Sequence, residues 1–486
     1  MNLLFVTLDQ YRGDCLSLLG HEVVRTPSMD ALGREGVCFS RHYSQAAPCA
    51  PGRACLYTGT YQMHNRVLAN GTPLDDRLDN VARMARRLGY EPTLFGYSDQ
   101  GVDPRLVSDR GDPRLSTYEG VLPGLTVGLD LSSHGWQVWR EHVVAAGYDV
   151  PATMDGALST EPERPEHLGI SAFLTDSFAA WLHRQDRQWF AHLSYLRPHP
   201  PYAAAGRFAR EYDPDELDLP VAAGPDRHPF HELALALPFT AAPTGEREMR
   251  RIRSQYYGMV ANVDEEMGRL RSLLEASGQW EETIVVVTAD HGEQLGDHGL
   301  LGKLGFFEQS YHVPAIVRDP SRRGGHGLVV KELTEAVDLL PTICELLGAP
   351  VGAQLDGLPL TAYLDGSTPP WWRSAATWEF DWSFITVPAG PFEWPWDRRL
   401  DRDHLTVRRS ATEAYVHFGD GSWRCYDLAA DPTWRTETTD PGVVLSAAQA
   451  MLAWREENAD RTLTGFLLQD GGTGRWPEHS IGPASR

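Results

Sequence analysis

A cysteine, a proline and an arginine fall at alternate positions, as Cys49, Pro51 and Arg53, within one short segment. Because Pro51 suits the first turn of a helix, the segment predicts a helix that begins near Cys49, where unpaired backbone N–H groups favour anions. Cysteine is also among the most buried residue types, so a purely structural thiol is the competing interpretation. The first interpretation makes Cys49 a candidate nucleophile for an anionic substrate.

Two acidic residues follow apolar runs typical of buried parallel strands. Asp9 comes after residues 3–8, and Asp290 comes after residues 283–288, with His291 beside it. In open α/β sheets ligands collect at the carboxyl ends of strands, so the two carboxylates are expected to converge there. Two aspartates and a histidine offer both oxygen and nitrogen donors. This mixture suits manganese, iron or zinc better than calcium, which prefers oxygen alone, although calcium stays open.

The remaining patterns position these residues. Helices are predicted at residues 28–35, 79–88 and 249–275, which together with the two strands indicate an α/β layered domain. Pro, Gly and Asp accumulate at residues 148–170 and 213–246, which predicts long surface loops or insertions.

The pattern of the sequence changes near residue 366, where aromatic residues become frequent. Short aromatic strands follow, with a hairpin at residues 414–418 and 423–428 and a terminal helix at residues 446–458. We therefore predict a catalytic domain over residues 1–365 and, over residues 366–486, a small C-terminal antiparallel α+β subdomain with its tail.

Composition limits the possible partners. The chain has 486 residues with 44 Lys and Arg against 66 Asp and Glu, a formal charge of -22, which argues against nucleic acid. No stretch approaches the roughly 18 apolar residues of a membrane span, and the N-terminus reads as a strand and not as a signal peptide. The six cysteines lack CxxC spacing, so disulfides and structural zinc are disfavoured and a cytoplasmic location is expected.

Several motifs occur in the order found in one enzyme family. Cys-x-Pro-x-Arg at residues 49–53 is the sequence recognised for oxidation of cysteine to formylglycine in type I sulfatases, and Leu-x-Thr-Gly at residues 56–59 resembles its extension. The other motifs are Asp9-Gln10, Arg-Pro-His-Pro-Pro at 197–201, Asp-His-Gly-Glu-Gln-Leu-Gly-Asp-His at 290–298, Gly302-Lys303 and Tyr-Asp-Leu-x-x-Asp-Pro at 426–432. Over roughly residues 3–466 the chain resembles type I sulfatases of the alkaline phosphatase superfamily. Within them it is most similar to bacterial phosphonate monoester hydrolases, as the Asp-Gln and Asp-His pairs and residues 460–464 indicate.

The resemblance implies a fold and a chemistry. The fold is alkaline phosphatase-like: a large mixed, mostly parallel sheet sandwiched by helices. Cys49 becomes formylglycine, whose hydrate attacks sulfur or phosphorus through one hydroxyl and releases the product by deprotonation of the other. One divalent metal ion (manganese, calcium, zinc or iron) is implied. The metal set implied by resemblance is Asp9, Gln10, Cys49, Asp290 and His291, with Gln10 either a carbonyl ligand or only a supporting donor.

Other residues take roles by the same resemblance. His199 stabilises the transferring group or protonates the leaving oxygen, and Lys303 bridges a non-bridging oxygen and the leaving group. Arg53 is expected to pair with the hydrated aldehyde, or else to form a simple ion pair at the helix end. Asn70 and Tyr97 match substrate-contacting residues, although Asn70 also suits an Asn-Gly turn.

One position departs from the phosphonate hydrolases. They carry a threonine two residues after the tyrosine, where this chain has Asp99. A carboxylate beside an anion pocket is costly unless it pairs with a cation or faces a positively charged leaving group. Asp99 is therefore expected to contact the substrate. Because of this departure, the sequence does not decide which ester the site prefers.

The expected function is metal-dependent hydrolysis of phosphonate monoesters, phosphodiesters and sulfate esters through a covalent intermediate. One alternative is an arylsulfatase proper with secondary phosphonate and phosphodiester activity, and another is an unmodified, catalytically silent binding protein of the same fold. The expected partners are a small anionic ester, a formylglycine-generating or equivalent maturation enzyme, and further copies of the chain in a dimer or tetramer. Residues 464–486 lack a core pattern of their own and are expected to reach a neighbouring copy.

Overall fold

A computed structural model of the protein describes residues 1–386, 402–459 and 466–475. The strands are β1 (Asn2–Leu8), β2 (Val37–Tyr43), β3 (Pro92–Gly96), β4 (Thr126–Asp130), β5 (Phe190–Tyr195), β6 (Thr283–Ala289), β7 (His312–Val313), β8 (Ala315–Arg318), β9 (Val329–Glu335), β10 (Ala375–Asp381), β11 (His404–Ser410), β12 (Glu413–Phe418), β13 (Trp423–Asp427), β14 (Phe466–Gln469) and β15 (Gly472–Arg475). The helices are α1 (Pro27–Arg34), α2 (Cys49–Thr58), α3 (Gln62–Asn65), α4 (Val81–Arg87), α5 (Gln137–Ala145), α6 (Met154–Ser159), α7 (Ile170–Leu182), α8 (Pro229–Ala236), α9 (Glu246–Ala276), α10 (Leu339–Leu347), α11 (Thr361–Leu364), α12 (Ser383–Thr386) and α13 (Pro441–Glu457).

The main sheet has nine strands in the order β4-β3-β5-β1-β6-β8-β2-β7, with β9 paired to β2. The central strands β3, β5, β1 and β6 run parallel, and antiparallel pairs occur where β8 meets β6 and β2 and where β7 meets β2. The sheet is therefore mixed and mostly parallel, which confirms the predicted fold class.

The sheet is buried on both faces, as the alternation along β1 shows. Leu4, Val6 and Leu8 belong to one hydrophobic core, to which α7 and α9 also contribute. Leu3 and Phe5 belong to a second core, shared with α2, α4 and α10. Because successive side chains of a strand point to opposite faces, helices must cover both sides of the sheet.

A second sheet follows near the C-terminus, with the antiparallel order β10-β11-β12-β13. The predicted hairpin corresponds to β12 and β13, and α13 packs on this sheet through Ala447 and Met451. Trp378 of β10 shares a core with Tyr43 and Phe306, so the two sheets are joined by side-chain packing. The division at residue 365 stays a prediction. Residues 460–464 and most of the segment 464–486 lie outside the described residues.

The two predicted long loops are wrong in part. Helix α6 and the start of α7 lie within residues 148–170, and α8 lies within residues 213–246. Leu158 and Phe230 of these short helices are buried, so they contribute to the core despite the surrounding Pro and Gly. Pro229 occupies the first turn of α8 and the His228 ring accepts the Phe230 N–H at 3.1 Å, so the residues that suggested a loop in fact start a helix.

Across the described ranges, none of the helices is both long enough and apolar enough to pass through a lipid bilayer.

Candidate active site

The two acidic strand ends meet as the sequence predicts. Strands β1 and β6 are parallel neighbours in which Leu8 pairs with Ala289, so Asp9 and Asp290 leave the sheet side by side. Both side chains are buried, and the Gln10 backbone N–H donates to Asp290 Oδ1 at 3.2 Å. The carboxyl edge of the sheet therefore supplies two carboxylates to one point.

Cys49 is the first residue of helix α2 and is buried. The helix start lies against β6: a Cβ atom on Gly52 would stand 2.4 Å from the Asp290 carbonyl oxygen and 2.9 Å from that of Ala46. Glycine at position 52 is therefore required for this approach. The Asn70 side-chain oxygen accepts the Ala50 N–H at 3.0 Å and caps the same helix end.

Four potential ligands converge at this point. One ligand atom from each of Asp9, Cys49, Asp290 and His291 lies within 4.8 Å of the others. The His291 Nε2 atom lies 3.4 Å from Cys49 Sγ and 3.8 Å from a carboxylate oxygen of each aspartate. Because His291 Nδ1 donates to the Gly292 carbonyl at 3.0 Å, Nε2 carries the lone pair that faces the cluster.

The cluster fits a divalent metal ion. Asp9 Oδ1 is buried and has no hydrogen-bond partner among the described residues, which is costly for a carboxylate oxygen unless a cation is bound to it. Asp9, Asp290 and His291 together offer carboxylate oxygen and imidazole nitrogen, the donors that manganese, iron and zinc accept.

Arg53 contacts the two carboxylates and lies between them. Its Nε atom is 2.9 Å from Asp290 Oδ2, and its Nη2 atom is 3.1 Å from Asp9 Oδ2. The guanidinium also stacks 4.4 Å from the centroid of the Tyr97 ring, whose hydroxyl donates to Asp9. Of the two roles suggested by the sequence, the geometry shows an ion pair between the helix and the strand ends.

The two carboxylates differ in their electrostatics. Burial alone would raise the pKa of Asp9, but the charges of His199, Lys303 and Arg53 outweigh burial and hold this pKa well below its usual range. Burial and the neighbouring Asp9 charge raise the pKa of Asp290 to about 6. Two carboxylates this close resist ionising together unless cations neutralise them. Arg53 supplies one positive charge at their Oδ2 atoms, and a divalent ion at the unpaired Asp9 Oδ1 would supply the rest.

Lys303 reaches the thiol from the loop after β6. Its Nζ atom lies 3.2 Å from Cys49 Sγ and 3.0 Å from Gln10 Oε1. Burial would lower the pKa of Lys303, but the neighbouring Cys49, Asp9 and Asp290 raise it above its usual range, so the ammonium is charged. Since Gln10 Oε1 accepts from Lys303, the geometry favours Gln10 as a supporting residue over Gln10 as a metal ligand.

His199 is close enough to Asp9 and Lys303 for their charges to act on it. Burial, followed by the Lys303 charge, lowers the pKa of His199 to about 4. Its Nδ1 atom donates to the Pro200 carbonyl at 2.7 Å, so the neutral ring has its lone pair on Nε2. The ring is thus prepared to accept a proton or a hydrogen bond at Nε2.

Glu293 is a site residue that the sequence analysis did not single out. It is buried, and it accepts the Leu295 and Gly302 N–H groups at 2.8 and 2.6 Å and the side-chain amide of Gln10. It therefore ties the loop that carries Lys303 to the end of β1. Its position in the motif, three residues after Asp290, could have marked it as a site residue.

Asp297 fixes the same loop from outside the metal cluster. Its carboxylate accepts from Arg12 Nη1 at 2.9 Å and from the Val221 N–H at 2.8 Å. His298 stacks on Phe307 with ring centroids 3.6 Å apart. Arg12, which also contacts the backbone of Glu293, is a further supporting residue that sequence reasoning missed.

The sequence profile of the Sulfatase family matches residues 1–349 of the chain. The multifunctional alkaline phosphatase superfamily protein PehA of Trinickia caryophylli is 32% identical over 508 residues, which cover 96% of this chain and 97% of that protein.

Two solved structures of similar length share the fold. Phosphonate monoester hydrolase of Agrobacterium radiobacter superposes with a TM-score of 0.88 at 39% identity, covering 98% of this chain and 99% of that one. Phosphonate monoester hydrolase SpPMH of Silicibacter pomeroyi gives 0.87 at 32% identity, covering 99% and 100%. The match to the profile over more than half the chain, together with these full-length relatives, shows that the protein belongs to the sulfatase family and is an ester hydrolase of that family.

Proposed function

We propose that this protein hydrolyses phosphonate monoesters, phosphodiesters and sulfate esters, with formylglycine made from Cys49 as the nucleophile and one divalent metal ion. The observation that carries the proposal is the convergence of Cys49, Asp9, Asp290 and His291 at the start of α2, with the Lys303 ammonium 3.2 Å from the thiol. Both of the solved relatives are phosphonate monoester hydrolases, so phosphonate monoesters are the first substrates to test.

The unmodified thiol is a poor nucleophile in this environment. Burial and the Asp9 charge raise the pKa of the Cys49 thiol well above its usual range, so the sulfur stays protonated at neutral pH. A formylglycine hydrate supplies instead a hydroxyl that attacks and a second hydroxyl whose deprotonation releases the product. The thiol sulfur in the structure marks where those oxygens would lie.

Asp9, Asp290 and His291 would hold the metal ion, which would polarise the transferring group and favour the ionised nucleophile. Lys303, charged and next to residue 49, would bind a non-bridging oxygen of the transferring group. His199 would act at its Nε2 atom, which accepts a proton from the nucleophile or a hydrogen bond in the neutral state. Arg53 holds Asp9 and Asp290 in place and is engaged away from the substrate.

The first measurement is the mass of the peptide that contains residue 49, from protein produced with a formylglycine-generating enzyme. Conversion replaces the thiol by an aldehyde and lowers the mass of the peptide. The converted protein is then assayed with phenyl phosphonate, a phosphodiester and an aryl sulfate, before and after chelation. Cys49→Ala is the matched control, because it keeps the fold and removes the modification.

We expect hydrolysis of all three esters, its loss with chelator and with Cys49→Ala, and its return on adding back manganese, zinc, iron or calcium. Activity of unconverted protein equal to that of converted protein would refute the nucleophile assigned here. A rate on aryl sulfate far above the two phosphorus esters would instead identify an arylsulfatase proper. Complete inactivity of converted, metal-loaded protein on every ester would refute this proposed function.

A further inference from the structure

Asp99 is a carboxylate inside the site that the metal cluster does not use. It follows strand β3, with its backbone in the left-handed region at φ 51°, which aspartate tolerates better than most residues. Its side chain is 5% exposed, and Oδ2 lies 3.8 Å from Arg53 Nε. The carboxylate is thus placed beside the reaction centre and nearly removed from solvent.

Arg53 does not satisfy this carboxylate. Its N–H groups donate to Asp290 at 2.9 Å, Asp9 at 3.1 Å, Ser194 Oγ at 2.8 Å and the Tyr97 carbonyl at 3.0 Å. Within the described ranges no hydrogen bond is made to the Asp99 side-chain oxygens, and 3.8 Å is too long for one. When it is ionised, this carboxylate carries a charge that nothing in the described part of the chain neutralises fully.

The other charges around Asp99 are mostly negative. Burial raises the pKa of Asp99 to about 7, and Asp9, Glu119 and Asp290 act in the same direction against Arg53. An anionic substrate without a compensating charge would add to this repulsion. A positive group on the substrate at this place would remove it.

The segment that carries Glu119 also carries an exposed aromatic ring, that of Tyr118. Tyr118 is 45% exposed. It lies against the Asn70-Gly71 turn, since a Cβ atom added to Gly71 would be 3.8 Å from the Tyr118 Cβ atom. Burial, followed by the charges of Glu119 and Asp99, raises the pKa of the Tyr118 hydroxyl above its usual range. The face of a tyrosine ring attracts ammonium groups.

The segment that carries Tyr118 and Glu119 is fixed to the segment that carries Asp99. The Gly120 carbonyl accepts the Gln100 N–H at 3.0 Å and the Ser98 hydroxyl at 3.1 Å. Glu119 also accepts the Ser133 N–H. The two segments that carry Asp99, Glu119 and Tyr118 are therefore tied together before any substrate binds.

We propose that Asp99 selects substrates whose leaving alcohol carries a positive charge, that is, esters of an alcohol with a protonated or quaternary amine. The inference rests on the proposed function and specifies its substrate class. The bond changes are those of any other ester of the site: a hydroxyl of the residue 49 hydrate would displace the alcohol from sulfur or phosphorus, deprotonation of the second hydroxyl would release the acid and restore the aldehyde, and water would rehydrate it. The anionic half of the substrate faces Lys303 and the metal ligands, and the cationic half faces Asp99, with Glu119 and the Tyr118 ring beside it.

The test uses two sulfate esters of the same shape, those of 2-(trimethylammonio)ethanol and of 3,3-dimethylbutanol, with converted, metal-loaded protein. The two alcohols differ by one positive charge. We expect kcat/KM to be about 10-fold or more higher for the cationic ester, mainly through KM. Asp99→Asn should bring the ratio of the two esters to within about 3-fold of unity. Tyr118→Leu should lower the ratio, while Tyr118→Phe, which keeps the ring face, should preserve it.

Glu141→Gln is the matched control, because it removes one negative charge from the exposed surface of α5 and should leave both rates and their ratio unchanged. A second readout needs no variant: tetramethylammonium should inhibit hydrolysis of 4-nitrophenyl sulfate by the unaltered protein, and neopentyl alcohol at the same concentration should not. Equal inhibition by both compounds overturns the proposal.

Equal wild-type rates on the two esters also overturn it, and so does a ratio that Asp99→Asn leaves unchanged. The latter result would fit a protonated Asp99 that donates a hydrogen bond to the transferring group, a role that asparagine keeps. These outcomes differ from failure of the proposed function, in which converted protein hydrolyses neither these esters nor aryl sulfate and phenyl phosphonate.

Discussion

Gly52→Ala tests whether the close contact between α2 and β6 positions the nucleophile. A Cβ at position 52 would lie 2.4 Å from the Asp290 carbonyl oxygen, about 1 Å inside an ordinary contact of 3.4 Å, and 2.9 Å from the Ala46 carbonyl oxygen. Both neighbours are backbone, so no side chain can rotate away. The start of α2 must therefore move relative to the strand end.

Two effects of opposite sign act on stability. Alanine is the better helix former by about 1 kcal/mol, whereas overpacking a well-filled interior costs about 1–3 kcal/mol. We expect a net loss of about 0–2 kcal/mol in the free energy of unfolding. A displacement of about 1 Å at residue 49 should lower kcat by about 100-fold.

The assay combines denaturant unfolding with kcat on an aryl sulfate, for protein whose conversion at residue 49 is measured by mass. The mass is needed because position 52 lies inside the Cys-x-Pro-x-Arg motif that the proposed maturation enzyme would read, and rates are compared per converted molecule. Gly442→Ala, in the first turn of α13, is the control; there the nearest atom is a flexible Asp440 oxygen at 3.1 Å. A Gly52→Ala protein with unchanged stability and a kcat within about 3-fold of wild type would refute this reasoning.

Three further predictions concern residues that support the site or the fold. Glu293→Ala should lower kcat about 10–100-fold without affecting conversion at residue 49, because the loop it ties down loses its anchor; full activity would show that the loop holds its position unaided. Burial raises the pKa of Asp264 to about 6 in the folded chain, so its contribution to stability is greatest below about pH 4 and is lost as the pH rises through 6. Asp264→Asn should therefore gain about 1–3 kcal/mol relative to wild type between about pH 4 and pH 7, and a difference that does not change with pH would contradict this sign. Arg373→Met leaves the buried carboxylates of Glu335 and Asp338 without their guanidinium and should cost about 3–5 kcal/mol in urea unfolding, whereas a loss below about 1 kcal/mol would mean that the pair is solvated.

The sequence predicts the centre of the site well because that centre depends on strand ends. Asp9 and Asp290 each follow an apolar β-branched run, and parallel pairing of the two runs fixes where their ends lie. Cys49 is likewise placed by a proline in the first helical turn. These are local signals, and the fold class follows from the same runs.

The supporting contacts could not be predicted, since they join residues far apart in sequence through side-chain orientation. The Glu293 carboxylate accepts a hydrogen bond from the Gln10 side chain. Arg53 donates to Asp290 and Asp9 and makes no hydrogen bond to Asp99. Helix α8 was missed for a different reason. Its flanking Pro and His act as a helix start only when Phe230 has a core to enter, which the local sequence does not reveal.

The charge arrangement explains why the motif residues must act as a unit. Asp9, Asp99 and Asp290 are buried around one guanidinium, and Lys303 adds a second positive charge. These carboxylates therefore outnumber the two cations, and the proposed divalent ion would restore the balance. With the charges of Asp9 and Asp290 neutralised in this way, Asp99 would be the carboxylate to which no described residue donates a hydrogen bond. If the leaving group lies beside it, as we propose, the residue that disfavours a simple anion would favour a zwitterion.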